Sequence, residues 1–284
     1  MMIMKKVSLF VCTVLLTATS VLAQLETPQP SPLSTLSQKV GLVDVTVTYS
    51  RPSMRGRTIV GELVPYDQLW RTGANRATKV SFSDEMSVAG QTVPAGEYAL
   101  FTIPGQKEWT VIFNKNVDQG GTADYKEEED ALRVQVAPET ADDTYETFTI
   151  GLADLTETGA TLNVAWENTR LPIPLEDPNV DSKVMAQIDE QMADAGDNAG
   201  LYFQAASYYY TMDKDLQQAQ EWIDKAVSLD GSQYWVLHLQ AKIHAENDDY
   251  EQAKASAQKS MQLAEENGNP DYVRLNEKLL ETMN

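Results

Sequence analysis

The sequence predicts an all-β antiparallel sandwich followed by an α-helical repeat module. Three observations carry the prediction. Short runs of alternating apolar residues extend to about Leu175, turn chemistry separates them with no helical pattern interposed, and beyond Leu175 the period becomes helical and matches itself at an offset of 34 residues. At 284 residues the chain is about twice the ~150-residue prior for one domain. The expected layout is a signal peptide at residues 1–23, a flexible lead at 24–37, a β-sandwich at 38–175 and a helical domain at 180–284.

The first segment, MMIMKKVSLFVCTVLLTATSVLA, joins two lysines, an apolar run from Val7 to Leu16 and small residues ending at Ala23. This is the layout of a secretory signal, with cleavage expected between Ala23 and Gln24. The run is shorter than the ~20 residues of a membrane span, so no span is expected after cleavage. The one cysteine, Cys12, lies inside this segment, so the exported chain is expected to carry no disulfide, thiolate nucleophile or cysteine metal site. Export to a periplasm or the outer cell surface is the expected location.

The lead is rich in Pro, Ser, Thr and Gln and reads as a tether. Val43, Val45, Val47 and Tyr49 then alternate with polar residues, a period of two that buries one face of a strand. Further strands are expected at Lys79–Ser83, Tyr98–Ile103, Trp109–Asn114, Leu132–Ala137, Tyr145–Leu152, Thr161–Glu167 and Leu171–Leu175. Pro104-Gly105, between two aromatic-rich runs, is the best hairpin signal. Pro172, Pro174 and Pro178 punctuate the domain boundary.

In the second half, Lys214–Ala219 aligns with Asp248–Ala253, Ala226 with Ser260 and Leu229 with Leu263. Phe203, Ser207, Tyr210, Ala219, Ile223 and Ala226 show the size pattern of a tetratricopeptide repeat, and Leu237, Ala241, His244, Ala253, Ala257 and Ser260 form a weaker second copy. The module therefore resembles tetratricopeptide repeats, with a helix from Val180 to Ala195 before the pair and one from Asp271 to Met283 after it. Two repeats fall short of the three or so that stand alone, so packing against the sandwich or a protein partner is expected.

Charge bounds the function. Lys and Arg number 22 against 42 Asp and Glu, a net charge of −20 that becomes −22 once Lys5 and Lys6 leave with the signal. So acidic a chain repels nucleic-acid phosphates and anionic membrane surfaces. Against this background, Arg51 to Lys79 is a basic island. It holds Arg51, Arg55, Arg57, Arg71, Arg76 and Lys79 against Glu62 and Asp67, a local balance of +4. Arginine's planar fork grips carboxylate, phosphate or sulfate, and it pairs equally well with internal acids such as Glu62, Asp67 and Glu97. Trp70 is open to two roles, stacking on a ligand or burial in the sandwich.

The motifs RPSMRGR, GELVPYDQLWRTGAN, PAGEYALFTIPG and EWTVIFNKN follow in order between residues 51 and 116. With them the chain resembles the domain of unknown function 2911 family over roughly Leu33 to Leu175. Members are exported proteins found largely in Bacteroidetes, often with tetratricopeptide-like helices behind the domain. The resemblance implies fold and location and no biochemistry. One departure is Asp118-Gln119-Gly120-Gly121, where the family tends to place a tryptophan before a glycine.

No zinc-protease spacing, nucleophile elbow, phosphate loop or dinucleotide fingerprint appears, so no catalytic residues, cofactor or metal are expected. His238 and His244 point about 120° apart on one helix and are poor co-ligands. Asn114–Gly120 faintly echoes a calcium loop, but Tyr125 stands where its bidentate glutamate belongs, and Glu127–Asp130 reads as a solvated acidic run. The reading is an exported binding and scaffold protein. Its loop surface, with Arg51, Arg55, Arg57, Trp70, Arg71 and Asn75, takes a small anion or a glycan, and its helical repeats take a protein partner. The alternative is a hydrolase of exported polymers working with two carboxylates.

Overall fold

The structure is a computed structural model that describes residues 27–283. The expected signal, residues 1–23, lies outside the described residues. Ten strands precede six helices. All strand pairs are antiparallel and form two sheets, one of six strands in the order β1-β2-β3-β6-β7-β8 and one of four in the order β5-β4-β10-β9.

The six-stranded sheet comprises β1 (Leu33–Val40), β2 (Val43–Ser50), β3 (Thr78–Phe82), β6 (Gly96–Ile103), β7 (Trp109–Asn114) and β8 (Asp130–Val136). β2 follows its alternation: Val43, Val45, Val47 and Tyr49 are buried, and the residues between them are less so. The Pro104-Gly105 signal does join a hairpin, with Ile103 of β6 opposite Thr110 of β7. The four-stranded sheet comprises β4 (Met86–Val88), β5 (Gln91–Val93), β9 (Glu139–Ala153) and β10 (Gly159–Glu176). Inward residues of both sheets belong to one core, among them Val47, Val80, Phe113, Phe148, Leu162 and Ile173. Tyr49 of β2 crosses that core: its hydroxyl donates to the Ile150 carbonyl of β9 at 3.0 Å and accepts the Ile150 N–H at 2.9 Å.

Three expectations change. β1 starts at Leu33, inside the segment read as a tether, and pairs with β2 along its whole length. The two C-terminal runs read as separate strands are one strand, β10, which pairs with β9 through Thr161–Arg170 and with β4 at Leu175 and Glu176. Pro172 and Pro174 lie inside it and do not mark its end; strand gives way to helix at Asp177–Asn179, between the two expected ranges.

The helices are α1 (Val180–Met192), α2 (Ala199–Thr211), α3 (Leu216–Leu229), α4 (Tyr234–Glu246), α5 (Tyr250–Glu266) and α6 (Pro270–Thr282). α3 and α5 start 34 residues apart, at Leu216 and Tyr250, and each is capped by an aspartate, Asp215 and Asp249. The small repeat positions let the helices approach closely: Ala219, Ala241, Ala253, Ala257 and Ser260 are fully buried. Asp177 couples the helical part to the sheets, accepting the Leu42 N–H at 2.9 Å, and Lys183 of α1 pairs with Asp84 at 2.7 Å. Among the described residues no helix is long and apolar enough to cross a membrane.

Candidate functional site

Residues 51–77 join β2 to β3, and a connection of this length is uncommon unless it is functional. Both sheets hold it. Its first turn runs beside the edge strand β9, with Met54 N–H donating to Glu146 O at 2.7 Å and Phe148 N–H to Pro52 O at 2.8 Å. Its later part pairs with β6, where Trp70 and Thr102 exchange backbone hydrogen bonds of 2.8 and 2.9 Å.

Under the loop, Trp70 stacks on Trp166 of β10 at 6.0 Å and meets Phe148 and Trp109 edge-on at 5.3 and 6.5 Å. Two members of this aromatic cluster, Trp70 and Trp166, line a cleft of about 460 Å³. Arg55, Arg57 and Arg71 line it together with Leu63, Val64, Pro52 and, from the segment before β1, Pro30 and Ser31. Among the described residues that line it, none carries a carboxylate.

The backbone conformation of the loop is unusual. Arg55, Asp67, Thr72 and Asn75 have φ of 52°, 59°, 48° and 59°, a left-handed region that costs about 1–3 kcal/mol for such residues. Local bonds hold them there. The Arg55 N–H donates to Glu146 Oε1 at 2.9 Å, and Thr72, fully buried, accepts the Thr78 hydroxyl on its carbonyl at 2.6 Å. Gly73 next to it has φ 151°, and a Cβ there would stand 3.0 Å from Thr78 Oγ1. Glu167, at an irregularity in β10 with φ 55°, accepts the N–H groups of Ile59 and Val60 at 3.0 and 3.3 Å and so pins the rim that carries Leu63 and Val64.

The basic island divides in two. Arg76 and Lys79 are neutralised by Asp118 and Glu97, at 3.8 and 3.1 Å. Among the described residues none of Arg51, Arg55, Arg57 and Arg71 forms an ion pair, so the expected staples to Glu62, Asp67 or Glu97 are not made. Arg57 reaches only the carbonyls of Met54 and Ser53, at 2.8 and 2.7 Å, and Arg55 that of Pro30 at 3.3 Å. These acceptors leave the positive charge uncompensated. Arg71 Nε and the Trp166 indole N–H are buried with no hydrogen-bond partner among the described residues.

Of the six residues expected at the site, Arg55, Arg57, Trp70 and Arg71 therefore meet at the cleft, and Arg51 and Asn75 do not. Arg51 turns to β9, donating to Phe148 O at 3.1 Å and Thr149 Oγ1 at 2.8 Å. Asn75 ties the loop to Ser31 O and Ser50 Oγ, at 3.3 and 3.1 Å. Trp70 is half-buried against the core and also lines the cleft. Trp166, Glu167 and the Pro30–Ser31 wall were missed by sequence reasoning; a tryptophan in an alternating strand looks like any core residue.

Elsewhere, the faint calcium echo dissolves. Asn114 is buried and its Oδ1 accepts from Asn116 N–H and Gln119 Nε2, at 3.0 and 2.9 Å. The Asp118–Gly121 loop does not line the cleft. Asp130, read as part of a solvated run, is partly enclosed and pairs with Arg133 at 2.8 Å. His244 bonds Asp224 and Asp249 at 2.8 and 3.1 Å, while His238 bonds Asn276 at 2.8 Å. Among the described residues no group of three or more His, Cys, Asp or Glu is placed to hold a metal ion.

No curated protein and no solved structure shows detectable similarity to the chain. The sequence profile of the family described as "Protein of unknown function (DUF2911)" matches residues 31–175, which covers both sheets except Glu176 and every residue of the cleft except Pro30, and the chain belongs to that family.

Proposed function

We propose that this chain is an exported binding protein whose cleft takes a small anion. The observation that carries the reading is the lining itself: among the described residues the cleft holds three arginines, none of them in an ion pair, and no carboxylate. The volume of about 460 Å³ is that of a small-molecule site. A neutral glycan suits the wall less well, because its polar side chains, apart from the Ser31 and Ser53 hydroxyls, donate and cannot accept, and Ser53 is already bonded to Thr147 at 3.1 Å. Two-carboxylate hydrolysis finds no acid in this lining.

The two sheets around one core support a sandwich, and the 34-residue offset of α3 and α5 supports tetratricopeptide-like repeats that hold a protein partner. Export rests on the sequence of residues 1–23, and an N-terminus at Gln24 in protein recovered from the cell envelope would support it.

Calorimetric titration of the chain from Gln24 onward with phosphate, sulfate and a sugar uronate tests the binding. The expected result is binding of at least one anion, weakened about 10- to 100-fold in Arg71→Ala, the loss of about 1.5–3 kcal/mol for charged hydrogen bonds. Equal affinity in Arg71→Ala, or preference for a neutral sugar, overturns the proposal.

A further inference from the structure

The cleft is lined by two unlike kinds of side chain: the charged Arg55, Arg57 and Arg71, and the apolar Pro52, Leu63, Val64 and Trp70, which form its apolar wall. Leu63 is 44% exposed on a rim that Glu167 fixes in place. Exposure of a single leucine is ordinary, but this one continues an apolar surface. Val64, Trp70 and Trp166 separate the cleft from an apolar pit of about 10 Å³ that Ile59, Trp109 and Phe148 also line. The wall therefore runs without interruption into the core.

An inorganic anion satisfies the arginines and leaves that wall wet. A neutral apolar molecule covers the wall and leaves three guanidinium groups without a counter-charge. Only a molecule with both features uses the whole surface. We infer that the ligand is an anionic amphiphile: a carboxylate, sulfate or phosphate-monoester head gripped by the arginines, with an apolar body laid against Leu63, Val64, Pro52 and Trp70. The inference rests on the anion-binding reading and narrows it. An alkyl chain and an aryl ring share this chemistry, and the probes below separate them.

The test is calorimetry on the chain from Gln24 onward, below micelle-forming concentrations. Inorganic sulfate, ethyl sulfate, hexyl sulfate and phenyl sulfate form one series, and hexyl phosphate and hexanoate vary the head. Each fully buried methylene strengthens binding about fourfold. With the body only partly covered, hexyl or phenyl sulfate is expected to bind at least about tenfold more tightly than ethyl sulfate. Hexyl exceeding phenyl assigns a chain, and the reverse a ring. Leu63→Ser removes most of that gain, bringing hexyl and ethyl sulfate close to equal affinity, whereas Arg71→Ala weakens every probe. If inorganic sulfate binds as tightly as the hexyl and phenyl esters, the amphiphile is refuted and anion binding stands. Hexyl binding that survives Arg71→Ala refutes the paired head and body. No binding by any head group refutes both readings.

Discussion

Replacing Glu167 separates two opposed effects at one residue. Its carboxylate accepts the N–H groups of Ile59 and Val60, at 3.0 and 3.3 Å, and Ile59 is buried. In Glu167→Ala both donors lose their acceptor, at about 1–3 kcal/mol for a fully buried group. Val60 is only half-buried, so water partly replaces the second bond and the expected cost is about 2–3 kcal/mol. Glu167→Gly loses the same bonds, but its φ of 55° is free of strain for glycine and costs other residues about 1 kcal/mol. Glycine should therefore be the more stable of the two by about 1 kcal/mol, although inside an ordinary strand it is the less stable by a similar amount. Glu167→Gln keeps a neutral acceptor and should lose about 1 kcal/mol. Urea denaturation followed by tryptophan fluorescence ranks the four proteins. An alanine variant as stable as the parent, or a glycine variant weaker than alanine, refutes the claim that this carboxylate pins the rim from a strained backbone.

Two further outcomes concern the helices and their junction with the sheets. The Asp224 carboxylate raises His244 above its ordinary 6.5, with Asp249 adding to the effect and burial opposing it. That contribution to stability is complete below pH 6.5 and is lost as pH rises through the raised folded value, so His244→Gln should cost more at about pH 6 than at about pH 8.5. Burial lowers His238, against its bond to Asn276 and with Lys242 nearby, so its stabilising effect is lost on acidification and His238→Gln should show the opposite pH trend. Denaturation of both variants across that range checks the signs. At the junction, a Cβ on Gly41 would meet Asp177 Cβ at 2.6 Å and Val180 Cγ2 at 2.7 Å, at φ 57°. Gly41→Ala should cost at least about 2 kcal/mol and expose residues 177–180 to proteolysis, whereas Gly90→Ala, at φ 80° with nothing within 4 Å, should cost about 1 kcal/mol.

What the sequence reveals of this fold depends on how much of each element is buried on a single face. β2 buries one face along its length, so its period of two is plain. β1 is an edge strand with Leu33 71% exposed and only Val40 fully buried, and its composition looks like a tether. β4 and β5 have three residues each, too few to show any period. At the site, the arginines were legible because a basic cluster is rare in so acidic a chain. Which of them turn inward was not: Arg51 and Asn75 belong to the same loop as Arg71, and only the pairing of that loop with β9 and β6 decides their directions. Trp166 and Glu167 are about 95 residues from Trp70 and Arg71 in the chain, and nothing local marks them as partners of the loop.

The strongest argument for function is where the structure keeps its unfavourable features. Of the nine non-glycine residues described with positive φ, four lie between Arg55 and Asn75, and a fifth, Glu167, holds the rim of that loop in place. Two of the five buried side-chain atoms without a hydrogen bond, Arg71 Nε and Trp166 Nε1, belong to residues of the same cleft. A loop that served only to join β2 to β3 would gain nothing from strained backbone or from buried donors facing no acceptor. Holding the loop and its arginines in place before a ligand arrives makes sense if an anion is bound there, because little ordering entropy is then lost on binding. The negative charge of the remaining surface sharpens the case. In a chain of net charge −20, three arginines without an acidic partner stay together only against a field that would readily supply them with carboxylates.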